Sequence, residues 1–300
     1  MKAALRAFAT LPPNLKGAVF VVLGTIFFVL TDVTVKFTGD NIHPAQMALF
    51  RYVIGFVLLI PLFVRTGRER LKTKRITLHF FRAIIASCGQ AGLYYAVIHL
   101  LLADATAIIF TRPLFLTLLA IFVLKEVVGQ HRWGATVVGF MGVLVMVRPF
   151  GGDVNIAWGV AITAVFLFSW GLIIIRLLGR EEPPGTILFW YHIFGSLIFV
   201  GPAIYVWVDP TPLEYLQLFL IAALTAAGMN FFVRGFAIGE SSLMGPMEYI
   251  RIVFAAMAGY FIFSELPDVW TWVGAAIIVS ATLYITRREA KLGKLPQPGG

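Results

Sequence analysis

The chain has 300 residues, of which 59% are hydrophobic before its 28 glycines are counted and only 13% are charged. A soluble fold of this size leaves about a quarter of its unfolded surface exposed, so this much apolar side chain needs lipid for part of its solvent. The formal charge of +9 falls in short runs between apolar segments and forms no groove-like face, which excludes nucleic acid as partner and marks a multi-pass membrane protein.

A membrane-crossing helix needs about 20 mostly apolar residues. Ten such segments are predicted in chain order: 17–37, 45–64, 79–99, 105–124, 133–149, 157–177, 187–208, 215–234, 242–264 and 270–286. Residues 1–16 and 288–300 are left as tails. With the N-terminus inside, eighteen Lys and Arg fall on the cytoplasmic side and one, Arg148, on the other. That asymmetry satisfies the positive-inside rule and puts both termini in the cytoplasm. The single cysteine, Cys88, excludes an internal disulfide and a multi-cysteine metal site. Its apolar surroundings predict a small core residue.

The chain also resembles itself. At a shift of 139 residues Arg112 falls on Arg251, Phe115 on Phe254, Glu126 on Glu265 and Trp133 on Trp272. Four matches at one offset indicate a duplication, with 17–149 and 157–287 as its two five-helix copies. Five is an odd number of crossings, so the second copy enters the membrane inverted. Inverted repeats are a construction plan of secondary transporters, whose substrate sits near the midplane between the copies.

The stretches RPLFLTLLAIFVLKE (112–126) and RWGATVVGFMGVLVMVRP (132–149) resemble the drug/metabolite transporter superfamily in its ten-helix, EamA-type branch. GESSLMGPMEYIRIVFAAMAGYFIFSE (239–265) is similar to the matching end of the second repeat. The resemblance implies an all-α fold of ten transmembrane helices and transport of a small metabolite. It specifies fold more than cargo, since relatives of this kind export amino acids or move metabolites such as S-adenosylmethionine or riboflavin. In the second copy Ile252 stands where the first has Pro113, and the proline is displaced to Pro246.

Ionisable side chains inside a bilayer are costly and need a partner or a water-filled cavity. Five basic residues fall inside spans: Lys36, Arg51, Arg82, Arg112 and Arg251. Lys36 and Arg82 lie near span ends and are read as interfacial anchors. Arg112 and Arg251 lie deeper, at equivalent positions of the two copies, and suit either a substrate carboxylate or phosphate or a gating ion pair. Asp32 and Glu248 are their candidate partners, and each could carry a coupling proton; Glu248 is three residues before Arg251, close enough to pair on one helix face. Arg51 faces a similar choice between the substrate site and an ion pair with Asp32. Pro113 frees the carbonyl of Ile109 and, with Pro246, marks a candidate hinge.

Aromatic and amide side chains complete the candidate site. Tyr94, Trp170, Trp190, Tyr191 and Tyr249 suit stacking on a planar or cationic cargo, with helix packing as the alternative. Gln90 and Asn230 are mid-span amides that line a cavity or bridge helices. Gly134, Gly139, Gly142 and Gly274, with Ala135 and Ala275, offer small-residue faces for a rigid scaffold or a dimer seam. No hydrolase, zinc-protease, P-loop or dinucleotide fingerprint occurs, so no metal, cofactor or enzymatic activity is expected.

The sequence therefore predicts a secondary transporter of a bacterial inner membrane, working by alternating access on a small amino-acid-like anionic or zwitterionic metabolite. A coupling proton and a homodimer are its further candidate partners, beside the lipid bilayer. Two other classes stay open on sequence alone: a non-transporting membrane sensor and a membrane-embedded enzyme acting on lipid.

Overall fold

The computed structural model describes residues 12–67, 71–124, 130–147, 155–179, 181–238 and 247–292. Among them every regular element is helical: α1 Pro13–Thr38, α2 Pro44–Leu58, α3 Ile60–Thr66, α4 Ile76–His99, α5 Leu102–Ile109, α6 Arg112–Leu124, α7 Gln130–Val147, α8 Ile156–Leu178, α9 Pro184–Tyr205, α10 Pro212–Ile238, α11 Ile250–Phe263 and α12 Val269–Leu292. Proline starts several of them. Pro13, Pro44 and Pro184 stand in the first turn, where no helix N–H is lost. Side chains cap others: Asn155 accepts from Ala157 N at 2.9 Å and Asp268 from Thr271 N at 2.8 Å.

Among the described residues six helical stretches are long and apolar enough to cross a membrane, and four shorter apolar helices accompany them. Three of the predicted spans are interrupted among these residues, the ninth by a turn at Tyr249 just ahead of α11. The second breaks at Leu59 between α2 and α3, two residues before Pro61. The fourth starts at Leu102, three residues earlier than expected, and breaks at Phe110–Thr111. Hydroxyls take the carbonyls that this break releases: Thr111 Oγ1 donates to Ile108 O at 2.6 Å, and Thr282 Oγ1 to Phe110 O at 3.3 Å. Two carbonyls beside Pro113 thus find hydroxyl donors inside the protein, as suits a segment in lipid.

The main helix pairs all join one half of the chain to the other. α1 packs on α10, α4 on α8, α2 on α9 and α7 on α12. Close backbone approach makes three of these pairs possible. A side chain at Gly24 would meet Gly228 O on α10, and one at Gly89 would meet Ala164 O on α8. Gly89 and Gly228 are 139 residues apart, so equivalent glycines of the two copies serve these two pairs. In the third pair Gly142 faces Gly274 O, and Gly274 faces Gly142 O. The small residues of α7 and α12 thus meet within one chain. Overpacking costs about 1–3 kcal/mol. Gly142→Leu is expected to lower the thermal midpoint of the detergent-solubilised protein by several degrees; an unchanged midpoint would refute this packing role.

Cys88 is exposed on α4, against the expectation of a core position. Its helix face turns outward because the opposite face, with Ala86, Ser87, Gly89 and Gln90, is buried.

Candidate substrate site

Two layers of buried polar groups lie within the bundle. The first is ionic and joins α1, α6 and α11. Arg251 Nη2 donates to Asp32 Oδ2 at 2.7 Å, and its guanidinium carbon lies 5.4 Å from the centre of the Phe28 ring. Arg112 opens α6 after the break, 6.0 Å from the Phe168 ring. Glu248, just ahead of α11, lies in the fields of both Arg112 and Arg251. Each arginine keeps a buried Nε without a hydrogen-bond partner among the described residues.

Arg112 is followed by twelve described helical residues of α6 and Arg251 by twelve of α11, about 18 Å at the helical rise, more than half of a hydrocarbon layer about 30 Å thick. Both also stand at a helix N-terminus, where the backbone dipole is positive and favours anions. Two guanidiniums added to two such ends leave a centre that Asp32 and Glu248 balance only by formal charge. A carboxylate or phosphate arriving there meets unused N–H donors.

The second layer is aromatic and joins α2, α4 and α9. Tyr52 OH donates to Tyr191 OH at 3.0 Å, Ser87 Oγ to Tyr52 OH at 3.3 Å, and Arg51 Nη1 to Tyr191 OH at 3.4 Å. Arg82 lies over the Tyr191 ring at 4.7 Å and donates to Ile187 O at 3.3 Å. Tyr52, fully buried, is the hub of this layer. Tyr94 connects the layers. Its buried hydroxyl has no hydrogen-bond partner among the described residues, and it stands in the fields of Arg51 and Asp32.

The structure thus brings Asp32, Arg51, Tyr94, Arg112, Tyr191, Glu248 and Arg251 into two adjoining layers. Tyr249 packs against Phe110 beside the break, ring centres 4.7 Å apart and tilted by 47°, and Gln90 is buried on α4. Other candidates lie elsewhere. Trp170 packs into a satellite cluster with Ile85, Ile174 and Ile187. Trp190 donates from Nε1 to Leu71 O at 2.9 Å, which ties it to the segment before α4. Asn230 is exposed on α10. Pro246 lies outside the described residues.

Of the alternatives open to Asp32, the structure takes Arg251, one of its two expected partners, and not Arg51, which donates to the Tyr191 hydroxyl. Arg251 in turn reaches across to α1 and not along its own helix to Glu248. Arg82 and Lys36 are not interfacial anchors: Arg82 is 5% exposed, and Lys36 forms an ion pair with Glu265. Both have carboxylate or aromatic partners inside the protein, which outweigh the gain from reaching the headgroups. Sequence reading also missed Tyr52 and Ser87. Tyr52 offered a signal in its adjacency to Arg51; a lone serine in a span offers none.

The profile of the EamA-like transporter family matches residues 15–148 and again 156–287. The chain is 32% identical over 277 residues to an S-adenosylmethionine uptake transporter of Rickettsia prowazekii (strain Madrid E), covering 92% of this chain and 94% of the relative. It is 28% identical to a riboflavin transporter of Rhizobium johnstonii, covering 93% and 94%. It is 26% identical to the pseudopaline exporter CntI of Pseudomonas aeruginosa (strain UCBPP-PA14), covering 91% and 96%. One solved crystal structure superposes with a TM-score of 0.60 at 15% identity, over 91% of this chain and 98% of its own, a likeness of fold alone.

Proposed function

Because this chain belongs to the EamA-like transporter family, a family of transporters and not of enzymes, we propose that it carries a small zwitterionic or anionic metabolite by alternating access. Its apolar helices and its relatives make it a multi-pass membrane protein that moves a small metabolite. The observation that carries the finer reading is the placement of Arg112 and Arg251 at two buried helix N-termini, each with an unpartnered Nε. This centre takes the carboxylate. Asp32 and Glu248 face a cationic group of the same cargo and hold a coupling proton when one is used. The tyrosine layer of Tyr52, Tyr94 and Tyr191 accepts its flat or apolar remainder.

S-adenosylmethionine, the cargo named for one set of relatives, has this division of chemistry: an amino acid end, a cationic sulfur and a flat purine. It is therefore the first probe. The residues 17–149 and 157–287 act as inverted five-helix repeats, a reading supported by the cross-paired helices and by the equivalent glycines Gly89 and Gly228. Movement occurs about the break before Pro113, and Pro246 is its proposed counterpart in the second copy. The protein sits in the bacterial inner membrane with both termini cytoplasmic, in keeping with its loop charges.

Reconstituted in proteoliposomes, the native chain is expected to catalyse saturable entry of labelled S-adenosylmethionine, competed by other carboxylate-bearing metabolites and not by their esters. Absence of flux for every carboxylate-bearing solute in a mixed metabolite pool, from folded protein, would overturn the reading.

A further inference from the structure

One mouth of the bundle is fastened by a contact that the substrate site does not use. Glu265 follows α11 and accepts from Leu102 N, the first residue of α5, at 2.8 Å. Its other carboxylate oxygen forms the ion pair with Lys36 of α1. Lys36 Nζ also donates to Leu100 O at the end of α4, at 2.6 Å, and lies 5.5 Å from the Phe263 ring. Four segments from both copies therefore converge on two side chains that are 14% and 9% exposed. The backbone turns to bring Glu265 there. Ser264 ends α11 in the left-handed region, at φ 57°, and Glu265 N returns to Gly259 O at 3.0 Å. Serine is disfavoured in that region, so the turn is held by the contacts it enables. Below it, a side chain placed at Gly39 would run into Ile98, so α1 and α4 are in direct contact here.

The rest of the fold does not repeat this closure. α1 and α2 both pack on α4. Their counterparts at the 139-residue shift, α8 and α9, make no comparable packing on α10 among the described residues. An inverted pair of repeats with unlike contacts at its two ends is held in one state of its cycle. We infer that Lys36 and Glu265 are gating residues of transport: their ion pair, seated on the N-terminus of α5, shuts the mouth at the C-terminal ends of α1 and α4, on the non-cytoplasmic side. The inference rests on the transport reading above. A desolvated ion pair suits this task because losing either partner strands a buried charge, so the gate has a definite shut state. Opening it requires both charges to find water together, as happens when the mouth hydrates.

The test uses a Cys88→Ala chain carrying Val97→Cys, a buried position on α4 one turn below Leu100, in sealed vesicles. An Asp40→Cys control reports the side that bears the α1–α2 turn. Membrane-impermeant maleimide applied from that side is expected to label position 97 slowly in the otherwise native chain. Labelling should be at least tenfold faster with Glu265→Gln or Lys36→Met. A disulfide between Gly39→Cys and Ile98→Cys, added to Glu265→Gln, should return labelling at position 97 to the slow rate until it is reduced. Unchanged labelling in both single variants overturns the inference. Should neither single variant fold, the disulfide pair in the otherwise native chain decides: oxidation must slow labelling at position 97, read by peptide mapping, and equal rates before and after reduction overturn it. The same vesicles are assayed with labelled S-adenosylmethionine. Faster labelling without any flux retains the gate and removes the transport reading, whereas flux with unchanged labelling removes the gate alone.

Discussion

Asp32→Ala is expected to cost the folded protein about 3–5 kcal/mol, the usual penalty for stripping one partner from a buried ion pair. The reason is local. Arg251 donates to Asp32 at 2.7 Å, and without that carboxylate its guanidinium would stand at the N-terminus of α11 against the positive end of the helix dipole. Glu248 already lies in the fields of two arginines and cannot serve both. Thermal inactivation of the purified protein measures the loss. Asp32→Ala combined with Arg251→Leu should recover much of it, because two removed charges leave no orphan. A single variant as stable as the native chain, or a double variant less stable than either single one, would show that the pair is not the structural unit described.

Arg112→Ala should leave the protein folded and lower flux of a carboxylate-bearing cargo by about ten- to a hundredfold. A hydrogen bond to a charged group contributes about 1.5–3 kcal/mol, and each 1.4 kcal/mol is a factor of ten. Unlike Arg251, Arg112 has no ion pair at bonding distance among the described residues, so its removal breaks no such contact. Arg112→Lys keeps the charge and loses the planar fork, and its flux should fall between the two. Proteoliposome uptake of labelled S-adenosylmethionine at several concentrations separates a raised KM from a lowered maximal rate. Native flux in Arg112→Ala would move the substrate site away from the α6 N-terminus while leaving the family assignment intact.

These two arginines are legible in the amino-acid order alone because both reasons for noticing them are one-dimensional. Each lies well inside an apolar run, and each repeats the other at a fixed shift. The break near Pro113 is legible for a similar reason, since proline removes a donor wherever the chain later folds. Trp190 and Tyr191 show where such reading ends. Neighbours on a helix point about 100° apart; Tyr191 enters the central tyrosine layer while Trp190 turns to Leu71. Composition assigns them the same chemistry and only the helix rotation separates them.

Hydropathy, charge asymmetry and internal repetition by themselves determined that this is a membrane-embedded, duplicated helical chain with two deep arginines, because those properties are summed along the sequence and need no partner. The tertiary structure decided which charge meets which. Asp32 finds Arg251 across 219 positions, Arg51 finds Tyr191 across 140, and Glu265 finds the start of α5 across 163. Each buried cation had more than one acid or hydroxyl of suitable chemistry. In a medium with little water to satisfy the losers, the choice among them is made by which helices can pack close enough to meet, and that depends on the whole fold.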